Sequence, residues 1–280
     1  MDKVFSSRLF PELPLNKSIR WQCDFRGLQY SGEIVLAQEW RRELGNTLSP
    51  DCHFRIVVLT APQSVEARSL QDPRIAVVVP GATPPPAETV RAQGVREVRS
   101  TYIATPRPPR EDDALRAYLR GRIRTQKGLP IRPRELWQES DNPARFQRIA
   151  STLLQHAYPL QLLNPQQFPR SLTPRDTALI YQGFFGSRNA QVLDALDAFS
   201  VGLGLAQAEN PRVFAPHGCP VFDLIDGYLE RATGILPAAT LSDTLVRTYG
   251  IPSSLAALYQ LAFLRDKGTE VTLSLKPNTQ

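Results

Sequence analysis

Cysteine is scarce in this sequence, long apolar runs are missing, and the common nucleotide-binding and nucleophile signatures are absent. Three cysteines in 280 residues, Cys23, Cys52 and Cys219, are too few and of the wrong parity for a disulfide framework, so reduced thiols and a cytoplasmic setting are expected. The longest apolar runs, Ile56 to Leu59 and Ile75 to Val79, fall far below the roughly 20 residues that a spanning helix needs. No membrane partner is expected, and Arg8, Glu12 and Lys17 interrupt the N-terminus before a secretory apolar core could form. No G-x-x-x-x-G-K-[ST] loop occurs; the nearest glycine pair, Gly183-Phe184-Phe185-Gly186, has no lysine. A G-x-S-x-G elbow is equally missing, so the expectation is no catalytic residue and no cofactor.

Metal ligation is also disfavoured. Cys52-His53 and His217-Gly218-Cys219 offer four ligand types, but neither pair has the usual gap of two to four residues and the halves lie far apart. No metal is assigned. The carboxylate pairs Asp194 with Asp197 and Asp223 with Asp226 are three apart on helical stretches and read as surface or capping groups.

What is present is a folding composition, with 42% apolar and 21% charged residues, and a concentrated positive charge. Nine basic residues, Arg107, Arg110, Arg116, Arg120, Arg122, Arg124, Lys127, Arg132 and Arg134, face only three acidic ones, Glu111, Asp112 and Asp113, which accounts for the net charge of +6. Those three carboxylates suit the positive end of a helix expected to run to about Lys127. Arg116, Arg120 and Arg124 recur every four residues on it and share a face. Such a face contacts either phosphates of nucleic acid or an acidic protein surface.

The pattern predicts three parts. Residues 1–105 form an α/β domain with a parallel or mixed sheet: Ile56 to Leu59 and Ile75 to Val79 are strands buried on both faces. Helices are expected at Val35 to Leu44, Ser64 to Leu70 and Ala87 to Gln93. Residues 106–142 are the basic linker and helix, bracketed by the proline-rich Thr105 to Arg110 and Leu129 to Arg134. Residues 143–280 are mainly helical, with stripes at Phe146, Ile149, Ala150, Leu153 and Leu154 and at Val192, Leu193, Leu196 and Phe199. Asn164-Pro165, Phe168-Pro169, Thr173-Pro174 and Asn210-Pro211 mark helix boundaries.

Residues 219–280 read as a winged-helix-like unit: helix Val221 to Ala232, extended Ile235-Leu236, helix Ser242 to Thr248, turn Gly250-Ile251-Pro252, helix Ser253 to Lys267 and strand Glu270 to Leu275. Ser242-Asp243 and Ser253-Ser254 offer capping chemistry. The helix from Ser253 is too apolar to read bases and is expected to be buried.

The runs Leu172-Thr173-Pro174-Arg175-Asp176, Gly202-Leu203-Gly204-Leu205, Cys219 to Ile225, Thr248 to Pro252 and Leu258 to Leu264 resemble a stretch of very large P-loop ATPases. These are the ATPases of bacterial phage-defence systems of the BREX and Pgl type, the PglY/BrxC-like class. The resemblance covers the second half of the chain, with a weaker likeness from Ile56 to Leu119. It implies an inner segment of such an ATPase, without the nucleotide-binding loop, that assembles with other domains or subunits. The leading expectation is a non-catalytic interaction or assembly module, with the basic helix contacting either DNA or an acidic partner surface. Two alternatives stay open: an α/β enzyme domain holding a small ligand near Thr60-Ala61-Pro62 or Pro80-Gly81, and a purely structural scaffold.

Overall fold

The computed structural model describes residues 16–49, 51–79, 122–124, 142–159, 162–163, 168–186, 188–232 and 235–271. They fall into two compact units. One holds the described residues up to Cys23 and from Ser31 to Ala157; the other holds Asp24–Tyr30 and the described residues from Tyr158 onward.

The first unit is built on a mixed sheet of order β1-β2-β3-β4-β5, comprising β1 (Ser18–Phe25), β2 (Leu28–Ala37), β3 (Arg55–Leu59), β4 (Ile75–Val79) and β5 (Arg122–Arg124). The expected strands at Ile56 and Ile75 are present. β1 and β2 are joined by Arg26-Gly27 with φ of 49° and 70°, the paired left-handed conformations of a two-residue hairpin turn. β2, β3 and β4 run parallel, with Val35 opposite Val57 and Val57 opposite Val77. Side chains of one parity, including Val35, Ala37, Val57, Leu59, Val77 and Val79, pack beneath Leu48, Cys52, Val65 and Leu70 from the connecting loops. Helix α1 (Asn142–Ala157) lies against β3 and β4 and takes no part in that cluster, so it covers the opposite face. Its stripe of Phe146, Ile149, Ala150, Leu153 and Leu154 is buried, as its 3.6-residue spacing requires.

Two expected helices are not formed. Val35 to Ala37 continue β2, because their backbone pairs with β3 and their apolar side chains are wanted on both sheet faces; only Arg42–Gly45 turns, as a 3₁₀ helix. At Ser64 to Leu70 only Ala67–Ser69 turns. Val65 and Leu70 both reach the core, yet five residues along an α-helix they would point about 140° apart. The expected helix at 87–93 lies outside the described residues.

A third correction concerns the basic helix. Arg122, Ile123 and Arg124 form β5, antiparallel to β4 with Arg122 opposite Val79 and Arg124 opposite Val77. The unpaired edge of β4 accepts backbone hydrogen bonds there, which outweighs local helix propensity. The shared face of Arg116, Arg120 and Arg124 therefore does not extend to Arg124 as a helix. Arg107, Arg110, Arg116, Arg120, Lys127, Arg132 and Arg134 lie outside the described residues.

The second unit contains α2 (Pro174–Phe185), α3 (Ala190–Phe199), α4 (Pro220–Arg231), α5 (Ala238–Arg247) and α6 (Ser253–Lys267). Helix α6 is its axis, packing on α2, α4 and α5. Leu255, Leu258, Tyr259, Ala262 and Phe263 are buried, as expected from its composition. Tyr259 donates its hydroxyl to the Leu203 carbonyl at 2.9 Å, and Phe222 meets the Tyr259 and Phe263 rings edge-on at 6.5 and 5.5 Å.

The order helix, helix, turn, helix over 220–267 is as expected, but details of the winged reading are not. Ile235-Leu236 lie outside any helix or strand, as an extended connection can, but Glu270 belongs to a 3₁₀ turn, Gly268–Glu270, and not to the expected strand. Residues 272–275 lie outside the described residues. Helix α5 begins at Ala238 behind Pro237, which places Ser242 and Asp243 in its interior, and neither α5 nor α6 has a side-chain cap. Pro237 and Pro252 occupy the N-cap positions instead, and their fixed φ sets the direction in which the chain enters each helix.

Candidate docking surface

The C-terminus of α2 carries the most distinctive surface among the described residues. Tyr181 and Phe185, one helical turn apart, stack with centroids 5.0 Å apart and planes inclined by 21°. Both are solvent-accessible, at 43% and 36%. The Arg265 guanidinium from α6 lies 5.3 Å from the Phe185 ring and 4.7 Å from that of Phe214. Tyr181, Phe185, Arg265 and Phe214 thus form a ladder of planar groups, each neighbouring pair favoured by offset stacking or cation–π attraction. Leu261, one turn before Arg265 on α6, and Val213 are also exposed.

The ladder is backed by helix packing and by hydrogen bonds to the end of α2. Gly183 lets α3 come close: a Cβ there would meet Leu196 at 2.7 Å. The carbonyls left over at the end of α2 find partners, as helix termini require. Gln182 accepts from the Gly186 amide, Gly183 from Arg188 Nε at 3.3 Å, and Phe184 from Arg265 Nη1. The glycine pair Gly183 and Gly186 thus serves helix packing and helix termination.

A second feature of this unit is a cleft of about 590 Å³ where the turn after α3 meets the start of α4. Gly202, Gly204 and Gly218 line it, with Gln207, Glu209 and His217 as its polar side chains. Gly204 has φ of 72°, and a Cβ there would sit 3.2 Å from Cys219, so its backbone conformation and close approach account for the glycine at this position. Its three polar side chains are exposed, and such groups orient a ligand weakly.

The other candidate residues have structural settings. Cys52-His53 and His217-Cys219 belong to different units. Cys52 donates its thiol to the Phe54 carbonyl at 3.3 Å, and burial followed by the Glu33 charge pushes it up to about 11. Cys219, buried and donating to the Leu203 carbonyl at 3.7 Å, is likewise pushed up to about 11 by burial. Neither thiol is poised as thiolate. Among the described residues no cluster of three or more His, Cys, Asp or Glu could hold a metal. Asp197 pairs with Arg212 and Asp226 with Lys267, both at 2.7 Å.

At the ends of the parallel strands, Gln63 bridges the loops, accepting from Trp40 N at 2.8 Å and donating to the Gln38 carbonyl at 2.6 Å. Neither the cleft beside α4 nor the shallow one lined by Arg20, Trp21, Gln22, Ser31 and Asp51 lies at Thr60-Ala61-Pro62. Pro80-Gly81 lies outside the described residues.

Sequence reasoning missed the aromatic ladder and strand β1. The second had a signal, since Ile19, Trp21, Cys23 and Phe25 alternate with polar residues before Arg26-Gly27. The ladder had none: its members lie on α2, α6 and a loop, and only packing assembles them. No described helix is long and apolar enough to cross a membrane. No protein-family model, curated protein or solved structure matches this chain.

Proposed function

We propose that this chain is a non-catalytic interaction module whose helical unit docks a partner protein through the face formed by Tyr181, Phe185 and Leu261. The observation that carries this reading is the exposure of two stacked aromatic rings at a helix end whose carbonyls are hydrogen-bonded from below. Aromatic side chains that remain accessible cost little entropy to bury against a partner and are enriched at binding hot spots. An assembly role within a phage-defence ATPase, in the cytoplasm, is the setting that the sequence resemblance suggests. A winged-helix-like arrangement of α4, α5 and α6 belongs to the same proposal.

A photo-reactive phenylalanine analogue at position 181 or 261 tests the docking face, with position 235, whose Ile is 82% exposed, as the control. Discrete adducts at 181 and 261 but not at 235 are expected in the native cell. Equal labelling at all three positions, or ATP turnover by the purified chain alone, overturns the reading.

The charge concentrated over 107–134 favours a second contact, with nucleic acid. Replacing Arg116, Arg120 and Arg124 together by Ala should abolish salt-dependent DNA binding; no binding at low salt removes this contact.

A further inference from the structure

We infer that the ladder face takes an acidic, apolar protein segment, an assignment that rests on the docking role proposed above and specifies its partner. Arg188 and Arg265 both stand at the end of α2, exposed, beside the ladder. Among the described residues neither has a carboxylate within ion-pair distance; the same holds for Arg175 and Arg231, whereas Arg170, Arg212, Arg247 and Lys267 of the same unit are paired. The end of a helix carries about half a negative charge, whereas two guanidinium groups bring two positive ones. A positive surplus therefore borders an apolar surface made by Tyr181, Phe185 and Leu261.

Three kinds of occupant can be compared on charge. A second copy of this chain, docked about a two-fold axis, would set each patch against itself and bring Arg188 and Arg265 near their own copies. Nucleic acid would need a broad positive field, yet the chain from Tyr158 to Gln280 contains nine Lys and Arg against ten Asp and Glu. An acidic segment with apolar anchors satisfies both components: its carboxylates meet the two arginines at the rim, and its apolar side chains cover Tyr181 and Leu261. Rim charges of this type govern association rate and selectivity more than raw affinity.

The test uses the full chain and fluorescently labelled synthetic helical peptides of about twelve residues, with Leu at i, i+3 and i+4 spacing and Glu elsewhere. Anisotropy should show the Glu peptide binding at least roughly tenfold more tightly than the same peptide with Lys for Glu. Arg188→Gln should erase most of that preference and Arg188→Lys restore it. Tyr181→Ala should weaken both peptides. Unchanged far-ultraviolet circular dichroism and melting establish that each variant folds.

Equal affinity for the two peptides, no binding of either, or tighter binding of an oligothymidylate overturns the inference, as does a dimer in sedimentation that Tyr181→Ala dissolves. If position 181 still yields adducts with a partner lacking acidic segments, the docking role stands and only the charge assignment fails.

Discussion

At the scale of single residues, the first unit contains buried polar groups whose cost is offset locally. The Asp72 carboxylate, almost fully enclosed, accepts from Arg74 N and Nε, both at 2.9 Å, from Arg74 Nη2 at 2.7 Å and from the Leu48 amide at 3.2 Å. Burial pushes that carboxyl up, but the hydrogen bonds from Arg74 prevail and hold it below its ordinary value. His53 is buried nearby, and burial, followed by the Arg74 charge, brings its imidazole down from 6.5 to about 4, with Asp51 acting in the opposite direction. The unfolded chain therefore binds more protons between those values. The contribution of His53 is fully present above pH 6.5 and is lost as pH falls towards about 4. The full swing is about 3 kcal/mol. His53→Gln should flatten the dependence of the urea midpoint on pH between about 6.5 and 4.5; an unaltered slope would show that this imidazole is not the titrating group.

Gly250 makes a sharper single-residue test. Its φ is 70°, and a Cβ would lie 2.4 Å from the Tyr158 ring, so Gly250→Ala combines left-handed strain with overpacking and should cost about 2–4 kcal/mol. Gly268 has φ of 56° with nothing within 4 Å of an added Cβ. Gly268→Ala should cost less, about 1–3 kcal/mol of backbone strain without the overpacking. Equal losses in urea denaturation would mean that the Tyr158 ring is free to move aside.

At the scale of elements, α2 has the best-defined start. Thr173 Oγ1 accepts from the Asp176 amide at 3.2 Å, and the Asp176 carboxylate accepts from the Thr173 amide at 3.0 Å, a reciprocal box with proline in the first turn. Arg170 adds two hydrogen bonds of 2.7 Å to the same carboxylate. Thr173→Ala should lower stability by about 1–2 kcal/mol and Thr173→Ser should restore most of it, read as thermal midpoints. The Thr173-Pro174 boundary was legible in sequence because the proline, the threonine and the carboxylate three residues later all act locally. Helix α6 was legible for another reason: its apolar run from Leu255 to Leu264 leaves burial of most of that surface as the stable setting. The end of the expected basic helix at 122–124 was not, because the pairing of these residues with β4 depends on a strand some forty residues earlier, which no local periodicity reveals.

At the scale of the whole molecule, the ladder face should be dispensable for folding and needed for association. Tyr181→Ala and Leu261→Ser should each leave stability within about 0.5–1 kcal/mol of the parent, since accessible side chains lose little packing. The same substitutions should remove discrete photo-adducts formed from the neighbouring position. A large drop in melting temperature would instead make these residues part of the helical core.

Where the chain forms strands and where it forms helices follows largely from local signals. β-branched runs at 56–59 and 75–79 and 3.6-residue stripes at 146–154 and 192–199 set element type by side-chain spacing alone. The sequence by itself also determined where charge concentrates. Only the tertiary structure decided that α1 joins the sheet, that Asp24–Tyr30 belongs with the helices, and that Tyr181, Phe185, Phe214 and Arg265 meet in one ladder. Those outcomes depend on contacts between residues tens of positions apart, and the free energy of such contacts comes from burial and stacking that no short window of sequence contains.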